Sequence, residues 1–218
     1  MTSTPTIPVH LNSSLIHDYR PEDPANWWRT ICKVTPQLFI SGGLSHNELT
    51  AKNQLQQWEQ AGVTHYIAVH EECDDRKFVC TNSTITYIKV GVDDNGTPRD
   101  PKWFEQVTSA AREVLQDPNA VLMVTCWMGA NRGPSAAFAV LLTIGWQALP
   151  ALRAIRAARP IAGIIYAPDA VEWWVSRSGG SKIEASKARH EVERWFDRNP
   201  LDLHFVIRSI GSRTGIRG

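Results

Sequence analysis

The seven residues Cys126-Trp-Met-Gly-Ala-Asn-Arg132 set a thiol and a guanidinium with five residues between them. In that order the two groups suit phosphoryl transfer. A phosphate monoester needs a nucleophile in line with the leaving oxygen, donors around three equatorial oxygens, and a proton for the departing group. Cys126 would be the nucleophile. Arg132 would supply a planar fork that binds two phosphate oxygens at once, which a lysine point charge does less well. Backbone N–H groups of Trp127, Met128, Gly129, Ala130, Asn131 and Arg132 would cradle the anion, with Gly129 and Gly133 giving the backbone its freedom. A helix amino end behind the loop would hold the anion and lower the thiol pKa together.

Such a loop works only between a buried strand and a helix. Val121-Leu-Met-Val124 is a short, wholly apolar run, as expected of a central strand covered on both faces, and it puts Cys126 at the carboxyl end. Ser135-Ala-Ala-Phe-Ala-Val-Leu-Leu142 continues beyond the loop as an apolar helix. The Cys-to-Arg spacing alone recurs by chance; this context makes it specific. Reading Cys126 as one more buried thiol would leave Gly129 and Arg132 without a task.

Upstream, Val34, Leu38 and Ile40 alternate with polar neighbours and stop at Gly42-Gly43, a strand or hairpin. A helix from Asn47 to Gln60 closes at Gly62, and strands follow over Thr64 to Val69 and Ile85 to Val92, with an acidic loop between them. Asp100-Pro101 opens a helix carrying Phe104, Val107, Ala111 and Val114. Helices from Pro150 to Arg159, Pro168 to Ser176 and Lys182 to Arg198 complete the pattern, the last after the break Ser178-Gly-Gly-Ser181. Strands alternating with helices predict an α/β fold, a central mostly parallel sheet flanked by helices. The chain divides into an arm over 1–28 that packs through Trp27 and Trp28, a catalytic domain over 29–177, and a C-terminal helix and basic tail over 178–218. Arg208, Arg213 and Arg217 mark that tail as solvated.

Lys and Arg number 23 against 22 Asp and Glu, so no global field draws nucleic acid or an anionic membrane, and any preference for phosphate is local. No stretch approaches the ~20 apolar residues of a membrane span, and the polar start lacks a leader pattern. Four cysteines are too few for a disulfide scaffold, which places reduced thiols in a cytoplasm.

The chain resembles the cysteine-dependent protein tyrosine phosphatase superfamily, and within it the dual-specificity type. Beyond the loop, Val34-Thr-Pro-Gln-Leu-Phe-Ile-Ser-Gly-Gly is similar to that family's opening strand, Ala61-Gly-Val-Thr-His-Tyr-Ile to its helix-to-strand step, and Tyr87-Ile-Lys-Val-Gly-Val-Asp-Asp to the strand before its acid loop. The resemblance implies a phosphocysteine intermediate on Cys126, phosphate binding by Arg132, and no cofactor or metal. It also implies a general acid from the pair Asp93 and Asp94. Adjacent side chains cannot both face the site, and Asp94 is the first choice because its spacing, 32 residues before Cys126, is similar to the family's. The implied substrate is phosphotyrosine, with phosphoserine or phosphothreonine beside it, in a protein or peptide. Two positions depart from the family pattern: Thr125 replaces His, and Gly133 replaces the Ser or Thr whose hydroxyl assists thiolate departure. Thr125, Ser135 or Asn131 would have to compensate; otherwise the chain is a phosphate-binding pseudophosphatase. An RNA-end substrate is a further alternative, since Gly129-Ala-Asn131-Arg132 is similar to a Gly-any-Asn-Arg pattern of related RNA triphosphatases.

The remaining chemistry-bearing residues have plainer readings. His65, His70, Cys73 and Cys80 fit no closed zinc spacing. Glu71-Glu-Cys-Asp-Asp75 reads as a solvated loop, and Cys73 or Cys80 as a disulfide partner for Cys126 only if the fold brings them near. Trp127 and Met128 should point away from the anion and line the mouth, where a Trp would stack on an aromatic substrate. Tyr166 and Asp169 read as packing and helix-dipole residues, and Arg153, Arg156 and Arg159 as a solvated face.

Overall fold

A computed structural model describes residues 19–214; positions 1–18 and 215–218, with most of the arm and Arg217, lie outside the described residues. A 3-10 turn, Pro24–Trp27, leads into the antiparallel hairpin of β1 (Cys32–Thr35) and β2 (Leu38–Gly42). The Asn47 side chain accepts the Thr50 N–H at 3.0 Å and so caps α1 (Glu48–Gln60), and Gly62, at φ +88°, turns the chain into β3 (His65–His70). The segment α2 (Arg76–Asn82) occupies part of the stretch expected as loop, and β4 (Thr86–Val92) follows. Asp100 accepts the Lys102 N–H at 2.8 Å while Pro101 takes a position that needs no donor, which starts α3 (Pro101–Val114). Then come β5 (Leu122–Cys126), α4 (Arg132–Thr143), α5 (Ala148–Ala158), α6 (Ala167–Arg177), α7 (Lys182–Arg198) and α8 (Leu203–Thr214). A reciprocal capping box of Ser181 and Glu184 opens α7, as the Gly-Gly break before it allows.

The sheet runs β1-β2-β5-β3-β4, and every pair except β1 with β2 is parallel. This is the mixed, mostly parallel α/β sheet that the alternation predicts. The wholly apolar β5 is its central strand, between β2 and β3, because helices cover both faces there. Phe104, Val107, Phe138 and Val171 from α3, α4 and α6 fill one face; Leu55, Trp58 and Val79 from α1 and α2 fill the other against Phe39, Tyr66 and Met123. In open parallel sheets ligands bind beyond the carboxyl ends of the strands, and that is where Cys126 ends β5.

The tail does not behave as expected. After a bridge between Tyr19 and Leu201, α8 buries Val206 and Ile210 against Trp28, Ala130 and Ile161, one helical turn apart on one face. Burying each contributes roughly 1.5–3 kcal/mol, which outweighs the solubility of the intervening Arg208. Among the described residues no helix is long and apolar enough to cross a membrane.

Candidate active site

The loop from Cys126 to Arg132 is held from behind by its own carbonyls. Trp127 O accepts from Trp28 Nε1 at 2.9 Å and from Gly43 N at 3.2 Å. Met128 O and Gly129 O accept from Arg159 at 3.1 and 2.5 Å, and Ala130 O accepts from Gly163 N at 2.6 Å. In a trans peptide the N–H points opposite to the C=O, so four carbonyls turned outward turn their N–H partners inward, toward one anion-sized space. Gly129 is required twice over: its φ is +64°, and a Cβ would lie 2.7 Å from Ser41 O and 2.8 Å from Gly42 N.

Arg159 therefore overturns the solvated-face reading of its triplet. Arg153 is exposed and Arg156 lies over the Trp195 ring at 5.4 Å, but Arg159 is fully buried. It also donates to Trp28 O at 2.9 Å, Thr30 O at 3.2 Å and Cys32 Sγ at 3.3 Å. Burial pulls its pKa below the ordinary arginine value, with Cys32 opposing. The only warning in the sequence is that Arg159 ends a helix just before Pro160, where its side chain can turn back on the body.

On the front of the loop, Cys126 is 2% exposed and Arg132 is 3% exposed. Arg132 grips Glu72 with two nitrogens, Nη1 to Oε2 at 2.9 Å and Nη2 to Oε1 at 2.5 Å, and donates to Val92 O at 2.9 Å. Its Nε lies 3.2 Å from Asp94 Oδ2, an ion pair not aligned as a hydrogen bond. Burial alone would lower the Arg132 pKa; Glu72, Cys126 and Asp94 outweigh it and push it above the ordinary value. Burial likewise pulls the Glu72 carboxyl up, and hydrogen bonds from Arg132 more than offset this, leaving it below 4.5. Glu72 was read as part of a solvated loop. Its position two residues past the end of β3, a neighbour of the strand that carries Cys126, is the signal that points to the site.

Of the two acid candidates, the structure turns Asp94 to the loop. Asp94 Oδ1 accepts from Asn131 Nδ2 at 2.6 Å and from Tyr166 OH at 2.8 Å. Asp93 Oδ1 instead accepts the Asp94 N–H at 2.7 Å, a local turn contact. The Asp94 segment is braced by Arg99, which donates to Asp93 O at 2.7 Å and lies 4.6 Å over the Tyr166 ring. Neither Arg99 nor Tyr166 is visible from spacing as a site residue. Burial, then Asp94, raises the Tyr166 pKa and keeps it a donor. Asp169, expected to serve its helix, accepts from Arg99 N at 2.9 Å and Arg189 Nη1 at 2.8 Å.

The three groups that would compensate for Gly133 are engaged elsewhere. Thr125 Oγ1 donates to Tyr66 OH at 3.1 Å, Ser135 Oγ contacts Asn131 Oδ1 at 3.4 Å, and Asn131 ties Asp94 to Ile165 N, which it accepts at 2.9 Å. A Cβ on Gly133 would sit 3.1 Å from Cys126 N and 3.5 Å from Sγ, so glycine lets the first turn of α4 close onto Cys126.

Above Cys126 and Arg132 opens a cavity of about 400 Å³ walled by Trp127, Met128, Ile165, Leu203 and Ile207. A wider cleft of about 530 Å³ beside Lys102 and Arg177 has no cysteine in its lining. Trp127 packs beside His46, ring centres 4.9 Å apart. All four cysteines are free thiols. His65 bonds Thr64 at the start of β3 and Cys80 is exposed on α2, whereas His70 and Cys73 come together with Asp75.

No family model matches the sequence, and no curated protein does. Solved structures do. The crystal structure of PTPMT1 in complex with PI(5)P is 14% identical, with 70% of this chain and 97% of that one covered at a TM-score of 0.56. Human DUSP28 is 18% identical over 68% and 95% of the chains at 0.55. DUSP15 is 22% identical over 75% and 95% at 0.54. The chain thus has the fold of the dual-specificity-phosphatase-like cysteine phosphatases.

Proposed function

We propose that this protein hydrolyses phosphate monoesters through a phosphocysteine on Cys126. The observation that carries the reading is the loop whose four carbonyls are bonded from behind while a thiol and a buried arginine face its hollow. Phosphate entering the loop exchanges with the Glu72 carboxylate on the Arg132 fork. The Cys126 thiolate attacks phosphorus, the P–O bond breaks, and Asp94 gives its proton to the leaving oxygen. Water then attacks the phosphocysteine, Asp94 takes a proton from it, and the P–S bond breaks to return thiolate and inorganic phosphate. The second step runs without a hydroxyl at position 133, so it is the slower one.

The apolar walls from Trp127 to Ile207 favour a phosphate carried on an aromatic ring, phosphotyrosine in a protein or peptide, ahead of phosphoserine or phosphothreonine. A phosphoinositide is the second reading, favoured by the neighbour solved with PI(5)P. Turnover of p-nitrophenyl phosphate, lost by about 10⁴-fold or more in Cys126→Ser while phosphate binding persists, is the expected result. A wild-type chain that releases one equivalent of p-nitrophenol, keeps the phosphate and then stops would sink the hydrolase in favour of a module that only traps phosphate. Parallel rates on phosphotyrosine peptide, phosphoserine peptide, PI(5)P and 5′-phosphorylated RNA assign the substrate class.

A further inference from the structure

Beside the phosphate loop, and independent of its chemistry, the end of β3 and the start of α2 bring three different donor atoms together. His70 is the last residue of β3 and fully buried, Cys73 lies on the connecting turn, and Asp75 precedes α2. His70 Nε2 is 3.2 Å from Cys73 Sγ and 3.8 Å from Asp75 Oδ2, and the three ligand atoms all lie within 4.8 Å of one another. A tetrahedral zinc ion with bonds of about 2.0–2.3 Å requires ligand-to-ligand separations of about 3.3–3.6 Å, so each of these two edges needs to move by only about half an ångström or less to hold one.

We propose that His70, Cys73 and Asp75 bind one divalent ion of the zinc class, with the fourth position open to water. The donor set carries the metal's identity: imidazole and thiolate select zinc and cobalt over magnesium or calcium, which take oxygen ligands. Thiolate and carboxylate together neutralise a dication. His70 would ligate through Nε2, the ring nitrogen that faces Cys73 and Asp75. The Cys73 thiol releases its proton to solvent as the metal–sulfur bond forms. Lys89 is the opposing charge; it donates to the Cys73 carbonyl and fixes the turn.

Among the three ligands, Asp75 is held by outer contacts, while His70 Nδ1 has no hydrogen-bond partner and the ring is fixed by burial. Tyr66, fully buried, donates to Asp75 Oδ2 at 3.3 Å and accepts from Thr125, while Tyr87 OH accepts the Asp75 N–H at 3.3 Å. Pairing of His70 with Val92 fixes the strand end. The spacing His-x-x-Cys-x-Asp escapes closed-site patterns because its three ligands sit on one turn and use a carboxylate.

The test is a cobalt titration of the chelator-stripped full chain. One equivalent of Co²⁺ should bind with a thiolate-to-cobalt charge-transfer band and tetrahedral d–d absorption, and Zn²⁺ should displace it. Cys73→Ser should lose the band and weaken binding by at least about tenfold, while Cys80→Ser and Cys126→Ser keep it. Asp75→Asn, at a partly exposed position, should weaken Co²⁺ about tenfold with the band retained, which keeps the test decisive if Cys73→Ser misfolds by circular dichroism. No stoichiometric binding, a band that survives Cys73→Ser, or one that vanishes with Cys126→Ser overturns the proposal.

Discussion

Two buried arginines face each other across the phosphate loop, and their partners differ in kind. Arg159, behind, donates only to carbonyls of Trp28, Thr30, Met128 and Gly129 and to the Cys32 sulfur. Arg132, in front, is matched by the carboxylates of Glu72 and Asp94. Backbone carbonyls cannot leave, whereas a side-chain carboxylate can swing aside for a phosphate of the same charge sign. One guanidinium is thus part of the scaffold, and the other is a socket filled by an exchangeable anion. The opposite directions of their pKa shifts express the same contrast, since neutral partners do not offset burial and charged ones do.

Exchanging each arginine for lysine tests the contrast most severely. Arg132→Lys should cut kcat/KM by about 10²–10³-fold and leave the melting temperature nearly unchanged. Arg159→Lys should do the reverse, because several buried carbonyls lose their donors: a loss of roughly 3 kcal/mol of stability, read as about 6–12 °C in Tm. Equal effects of the two changes on activity and on Tm would erase the distinction between scaffold and socket.

Asp94→Asn should lower kcat about 10²-fold and flatten the basic limb of the pH profile, while Asp93→Asn leaves both intact. The smallest effect belongs to the socket's resident carboxylate. Glu72→Gln should lower KM several-fold by removing the competitor for Arg132. The sign with pH follows from its depressed pKa. With its pKa held below the ordinary glutamate value by Arg132, Glu72 stays charged around neutral pH, so the KM difference between wild type and Glu72→Gln should be constant there. It should vanish, with the ion pair's contribution to stability, only as the pH falls through the folded pKa.

The socket's own residues were legible and its surroundings less so, for a physical reason. Cys126 and Arg132 lie on one continuous strand-loop-helix unit, so local spacing encodes their geometry, as it does the caps of α1, α3 and α7. Glu72, Tyr166, Arg99 and Arg159 reach the site across the sheet from other units, and no spacing records that. Charge misled at Arg159, which looks solvated by composition and is buried, and it told only half of Glu72, which is exposed as expected yet paired with a partner distant in sequence. Likewise α8 looked like a basic tail because the apolar stripe of Val206 and Ile210 is narrow and its counterpart, Trp28, lies at the opposite end of the chain.

That counterpart bears on how the molecule comes to life. Trp28 reaches its contacts with Trp127 and Arg159 across 99 and 131 residues of chain. Closures of such span are the slow, entropically costly ones, formed after local turns and adjacent strands have collapsed. A newly made chain can therefore own its sheet before it owns the finished loop, whose Trp127, Met128 and Gly129 carbonyls lock when Trp28 and Arg159 close on them from either side in sequence.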